Sequence, residues 1–365
     1  MYFRFLENII ISEGNYMKIA LLAPIEEPVP PAKYGGTELV VYNLCEQLVK
    51  MGHDVTLLAS GDSKTSAKLV PIFDRALRTN PETNSTEVRD VYKYIGTAKV
   101  IDYLQKNKFD IIHNHIGWRV LAMSSLLDSP TVTTLHGSLQ VTILQKAFSL
   151  FKGANYISIS DNQRKPMPEL NYLATVYNGL DISKFKFFPE GQDYFAFLGR
   201  MSSEKGPVQA IQIAKAAGVK LIMAAKVDKA DEKYFKEQVE PLIDGEQIKF
   251  IGEVDHDGKI ELLGNARALI APIQWEEPFG LFFIEAMACG TPVITMNRGS
   301  VPEIVVNNKT GFICENEAEA VEKIKILDTI SRKDCFDHVN TNFSSEKMAE
   351  GYLAAYEKAL QKNVA

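Results

Sequence analysis

The sequence predicts an α/β protein built from two parallel-sheet domains, and three observations carry that expectation. From Met17 onward, apolar runs of strand length alternate with helix-length segments, the pattern of crossover connections that place helices on both faces of a parallel sheet. The runs are apolar throughout, as in Lys18–Ala23, where a sheet with one wet face would alternate. The 365 residues exceed what one ordinary core serves, so two domains are expected, residues 17–180 and 181–344.

Composition narrows the class. With 46% hydrophobic and 24% charged residues, no low-complexity segment and no repeat, the chain reads as globular. The net charge of −6 leaves neither half with a basic face, so no nucleic-acid partner is expected. Cys45, Cys289, Cys314 and Cys335 lie far apart with no paired metal-ligand spacing, which suits a reduced, cytoplasmic chain and no metal site. No run approaches the roughly 18 apolar residues of a membrane span. Residues 1–16 hold one basic residue, an apolar run broken by Glu7 and Asn8, and no small-residue cleavage site. They read as a tail or upstream-start extension.

In the first half, Lys18–Ala23 begins the sheet and a proline-rich loop leads to Tyr34-Gly35-Gly36-Thr37-Glu38. A helix from Thr37 to about Met51 follows, closed by Gly52, then the strand Asp54–Ala59. Gly35 and Gly36 let backbone approach a ligand at a strand's carboxyl end, or simply make a helix-start turn. No Gly-x-Gly-x-x-Gly is present, which disfavours a dinucleotide oxidoreductase. A helix over 87–106 precedes the strand Phe109–His113, which ends at Asn114-His115. After the strand Thr131–Leu135 comes His136-Gly137. Each histidine suits a hydrogen-bonded sheet edge, the expected fate of His113. His136 and His115 sit nearer the ligand-binding edge. Leu139–Phe151 reads as a helix apolar around much of its circumference, packing under the sheet or touching a membrane surface peripherally. Arg164, one turn into a helix start after the strand Tyr156–Ile159, faces the crevice or solvent. The polar stretch 182–191 reads as a hinge.

The second half opens with the strand Tyr194–Leu198. Arg200 and Lys205 follow in one loop with Gly199 and Gly206. Further strands Lys220–Ala225 and Lys249–Gly252 end in loops that include Val254. Asp255-His256-Asp257 has the spacing of a metal-holding acidic pair, but the reading preferred here is that Asp257 caps a helix beginning near Gly258 and Asp255 is solvated. The strand Leu269–Ile273 then runs into Trp275-Glu276-Glu277-Pro278-Phe279-Gly280-Leu281, which opens a helix that Gly290 closes. Free N–H groups at that helix start, from Phe279 through Leu281, form an anion site. Glu277 is a cap or a ligand contact. Glu285, among Phe282, Ile284, Ala286 and Met287, demands a hydroxyl or cation partner. Residues 298–303 open another helix, a second candidate for phosphate or sugar contact. A last helix, 345–361, is expected to pack back on the first domain.

The string from Glu277 through Pro-Phe-Gly-Leu to Glu285-Ala-Met-Ala-Cys-Gly-Thr-Pro-Val resembles the signature of glycosyltransferase family 4, retaining nucleotide-sugar transferases of GT-B fold. The resemblance runs from Met17 to about Leu360. It implies two Rossmann-like domains facing across a cleft. Glu277 would contact the donor sugar and Glu285 the ribose. Arg200 and Lys205, matching the family's Arg-x-x-x-x-Lys, would clamp the diphosphate, and His136 would face the reacting sugar. Val254, Phe279, Gly280 and Leu281 would complete the donor site. Gly35, Gly36, Thr37, His115 and Arg164 would lie toward the acceptor or sugar. The expected reaction moves a sugar from a nucleotide diphosphate, UDP- or GDP-linked, to a hydroxyl acceptor, with no cofactor and no metal. A GT-B epimerase, a phosphorylase, or a non-catalytic two-lobed sugar-binding protein would look alike at this level.

Overall fold

The computed structural model describes residues 16–33 and 35–362. The expected tail, apart from Tyr16, lies outside the described residues, as does Tyr34 of the glycine turn. Two α/β domains are present, each around one parallel sheet. The first holds β1 (Lys18–Leu22), β2 (Asp54–Ala59), β3 (Lys68–Pro71), β4 (Ile111–Asn114), β5 (Thr131–Leu135), β6 (Asn155–Ser158) and β7 (Tyr172–Thr175). They lie in the order β3-β2-β1-β4-β5-β6-β7. The intervening helices are α1 (Gly36–Lys50), α2 (Thr86–Lys106), α3 (Trp118–Leu121) and α4 (Thr142–Ser149).

The second sheet contains β8 (Phe195–Arg200), β9 (Leu221–Lys226), β10 (Ile248–Phe250), β11 (Leu269–Ala271), β12 (Val293–Met296) and β13 (Gly311–Cys314), in the order β10-β9-β8-β11-β12-β13. Around it lie α5 (Pro207–Ala217), α6 (Glu232–Tyr234), α7 (His256–Asn265), α8 (Leu281–Ala288), α9 (Val301–Ile304), α10 (Glu317–Lys325) and α11 (Arg332–Asn342). In both sheets the order reverses at the first strand: β1 pairs with β2 and β4, and β8 with β9 and β11. Loops leaving neighbouring strands there diverge to opposite faces and open a crevice at the carboxyl edge. The topology therefore places the ends of β1, β4, β8 and β11 at the cleft.

The last helix, α12 (Ser345–Lys362), returns to the first domain. Its buried Met348, Tyr352 and Tyr356 join the core of β1, β2 and α1. On α4 only Leu144 and Phe148 turn inward, while Ile143 and the following Leu150 are exposed. Among the described residues no helix is long and apolar enough to cross a membrane. The stretch expected as a hinge is tied to the second domain, since Phe188 N–H donates to Cys289 O at 3.0 Å and Arg332 Nε to Phe188 O at 2.7 Å.

Residues 298–303, a second candidate for phosphate or sugar contact, do not line the cleft. Gly299 N–H donates to Glu276 Oε2 at 2.8 Å and Ser300 N–H to Glu277 O at 2.9 Å, so this turn buttresses the glutamate loop from behind. Glu303 bridges the domains by accepting from the N–H groups of Asp161 and Asn162 at 2.7 and 2.8 Å and from the Tyr177 hydroxyl at 3.1 Å. The N–H groups of Gly299 and Ser300 are thus already given to Glu276 and Glu277.

Candidate active site

The cleft between the two sheets has a volume of about 610 Å³ and is lined from both domains. The first contributes Gly35, Gly36, Thr37 and His136. The second contributes Arg200, Lys205, Val254, Glu277, Phe279, Gly280, Leu281 and Glu285.

Helix α8 organises the second side. Gly280 caps it with φ 81, a left-handed conformation that any side chain would strain, and a Cβ there would also meet the Phe283 ring at 2.5 Å. The helix start points toward the first domain, where Leu281 Cδ1 lies 3.4 Å from the position a Cβ on Gly36 would take. The starts of α1 and α8 thus meet at the cleft. Both helices present N–H groups unpaired within the helix, which favour an anion.

Both glutamates are buried, Glu277 at 6% and Glu285 at 5% exposure, and each has a lysine. Lys205 Nζ pairs with Glu277 Oε2, which also accepts from Trp275 Nε1–H at 2.9 Å. Lys259 Nζ, from α7, pairs with Glu285 Oε1. Burying a carboxylate without such a partner is prohibitive, so the pairs explain how the loop tolerates both charges. Each carboxylate keeps acceptor capacity for a hydroxyl beyond its lysine. Arg200, at the end of β8, is held by Glu204 at 3.0 Å and Asp231 at 3.4 Å. Its Nε finds no hydrogen bond. Cationic groups and open helix N–H groups therefore border a space flanked by two hydroxyl-accepting carboxylates.

On the first side, His136 Nε2 lies 2.8 Å from His115 Nδ1. Burial pushes the His136 imidazole down to about 4, so it is neutral near pH 7. His115 stands behind His136 and does not itself line the cleft. Burial pushes Glu38 up to about 7, in the first turn of α1 beside Gly35.

Three expectations are corrected by this geometry. Arg164 does not reach the cleft: its Nε donates to Ser158 Oγ at 2.7 Å, and its guanidinium covers the Tyr172 ring at 4.7 Å. The stretch bearing it is a single 3-10 turn and not an α-helix start. In the acidic triplet it is Asp255, not Asp257, that caps α7, accepting from Gly258 N–H at 2.9 Å. Sequence reasoning also missed Lys259 and Trp275. Lys259 carried a signal, because a cation in the first turn opposes the helix dipole and implies a specific partner.

The family model described as "Glycosyltransferase Family 4" matches residues 34–184, and that described as "Glycosyl transferases group 1" matches residues 180–334. A glycogen synthase of Mycobacterium tuberculosis is 26% identical over 335 residues, covering 78% of this chain and 80% of that one. A phosphatidyl-myo-inositol mannosyltransferase of the same species is 26% identical over 371 residues, covering 95% and 93%. The solved structure of Anabaena HepE in complex with UDP and glucose superposes with a TM-score of 0.71 at 17% identity, covering 94% of this chain and 100% of that one. Two facing parallel-sheet domains and these matches define a glycosyltransferase of GT-B fold. The chain belongs to the family 4-like glycosyltransferases and is a hexosyltransferase.

Proposed function

We propose that the cleft transfers a hexose from a nucleoside diphosphate sugar, UDP- or GDP-linked, to an acceptor hydroxyl with retention at the anomeric carbon. The observation that carries this reading is the pair of buried, lysine-held carboxylates, Glu277 before α8 and Glu285 within it, flanking a cationic helix start. A diphosphate fits the helix-start amides with Arg200 and Lys205, which stabilise the charge that develops as the leaving group departs. Glu285 holds the ribose hydroxyls, and Glu277 orients the transferred sugar. Glu277, held by Lys205 and Trp275, serves in this reading as a hydrogen-bond acceptor toward the sugar. The leaving phosphate then takes the acceptor's proton on the same face, which accounts for retention. UDP and glucose bound to HepE, on the same fold, favour uridine among the bases.

A thermal-shift panel of UDP-, GDP- and ADP-sugars tests the donor class, and calorimetry on two variants tests the roles. Glu285→Ala is expected to weaken both the nucleoside diphosphate and the full donor by roughly 10- to 150-fold, the range for a charged hydrogen bond. Glu277→Ala should bind the free nucleotide like the parent yet turn over slowly. If both variants bind the nucleotide like the parent, Glu285 does not hold it.

The reaction is further proposed to need no divalent metal. Asp255 lines the cleft with its Oδ1 engaged in the α7 cap, and Asp257 does not line it, so the two do not present an acidic pair together. Lys205 and Arg200 are the cations proposed beside the diphosphate, each held by carboxylates before the donor binds. Saturating EDTA should leave the rate within about twofold, the result expected where protein cations replace a metal beside phosphate. Loss of activity in EDTA with recovery in added Mn²⁺ or Mg²⁺ would refute the assigned clamp.

A further inference from the structure

We propose that His115 is a positioning residue that fixes His136 as its Nδ1–H tautomer, so that His136 donates a hydrogen bond into the cleft and does not act as a base. Two neutral imidazoles share the 2.8 Å contact between His115 Nδ1 and His136 Nε2, and only one of them can supply its proton. If His115 donates, the His136 proton sits on Nδ1, the ring nitrogen left for the cleft. If His136 donates, Nδ1 is a bare lone pair and a candidate general base. The choice between them is made at the far nitrogen of His115.

That nitrogen, Nε2, is buried and finds no hydrogen-bond partner among the described residues. His113 cannot serve it. The two rings are tilted by 42° with centroids 3.9 Å apart, and both nitrogens of His113 are taken, Nδ1 by the Tyr356 hydroxyl and Nε2 by Thr134 Oγ1, each at 2.7 Å. A proton on His115 Nε2 would be a buried donor with nothing to receive it, which is rarer and costlier than an unused lone pair. His115 therefore keeps its proton on Nδ1 and donates to His136. Burial also disfavours the doubly protonated form of each ring: His136 is pushed down to about 4, and His113 and His115 well below the usual imidazole value. Tyr352 and Tyr356 of α12 pack against His113, so the returning helix braces the rings from behind.

The inference rests on the proposed function only in naming the recipient, an oxygen of the transferred sugar. Long-range proton–nitrogen spectra of the full chain with ¹⁵N-labelled histidine read the tautomers directly, whatever the substrate proves to be. There are six histidines to assign, by substitution. His136 and His115 should both show the proton on Nδ1. In His115→Asn, whose amide N–H₂ takes the place of Nδ1–H, His136 should keep that tautomer. In His115→Asp, whose carboxylate can only accept, the proton should move to Nε2, and turnover should be about tenfold below that of the Asn variant, the size of one hydrogen bond, with KM for the donor little changed. A proton on His136 Nε2 in the parent, or equal turnover of the Asn and Asp variants, would overturn the assignment. A chain inactive on every nucleotide sugar yet showing the Nδ1–H signals would instead count against the proposed function alone.

Discussion

Lys205→Ala is expected to lower turnover on the order of 100-fold, the loss associated with one preorganised charge contact. Lys205 Nζ pairs with Glu277 and lies 4.8 Å above the Phe282 ring and 5.2 Å above that of Trp275, in a side chain only 13% exposed. The substitution has a second consequence, because it strands a buried carboxylate. Breaking a buried pair from one side typically costs about 3–5 kcal/mol of stability. The double variant Lys205→Ala/Glu277→Gln separates the two effects. Neutralising Glu277 should restore most of the lost melting temperature, since no bare charge remains. Glu277→Gln alone supplies the turnover baseline, because Glu277 has its own proposed role, and the double variant should fall well below it. If the double variant turns over as fast as Glu277→Gln alone, Lys205 serves only to neutralise Glu277 and the proposed diphosphate clamp must be assigned elsewhere.

Gly299→Ala should be nearly as damaging to turnover although Gly299 does not line the cleft. Its φ is 60, and a Cβ there would fall 2.3 Å from Glu277 N and 2.4 Å from Glu277 O. Those atoms are backbone, so the glutamate loop must move as a whole. Displacing a catalytic group by about 1 Å can reduce rate on the order of 100-fold. Glu285 is anchored by α8 and Lys259 instead, so affinity for the nucleoside diphosphate should change little. Gly245→Ala supplies the control. It carries a comparable φ of 78 with no atom within 4 Å of the added Cβ. It should cost about 1–2 kcal/mol of stability, the ordinary left-handed penalty, and leave turnover intact. Equal turnover in the two variants would mean that the contact of Gly299 with the Glu277 loop does not set the carboxylate's position.

Much of the α8 side of the cleft was legible because its signals are local. A strand end, a Pro-Phe-Gly turn, an apolar helix carrying one acid and a closing Gly290 lie within about twenty residues, and the structure keeps that order with β11, α8 and a φ of 86 at Gly290. The strands β3 and β13 escaped the reading. Each lies at a sheet edge, β3 bounded by Lys68 and Pro71 and β13 opened by Gly311, so neither shows as a continuous apolar run. Asp255 and Asp257 are two residues apart and equally suited to cap, so the local pattern left the start of α7 undecided. Arg164 looked available to the crevice because nothing nearby in sequence announces that Ser158 and Tyr172 would capture it.

The sequence by itself determined two parallel-sheet domains, the helix start that opens on the cleft, and the two glutamates with seven residues between them. Helix and strand period, glycine turns and burial demand all act over a few residues, so they can be read along the chain. Only the tertiary structure decided which cation meets which carboxylate. Lys205 and Glu277 are 72 residues apart, and Lys259 and Glu285 are 26 apart. It also decided that His115 lies behind His136, and that Gly299 supports Glu277. These contacts join loops at the carboxyl ends of different strands, brought together by sheet order and by the approach of one domain to the other. Each side chain's need for a partner is written in the sequence, but the partner's identity depends on packing across the cleft.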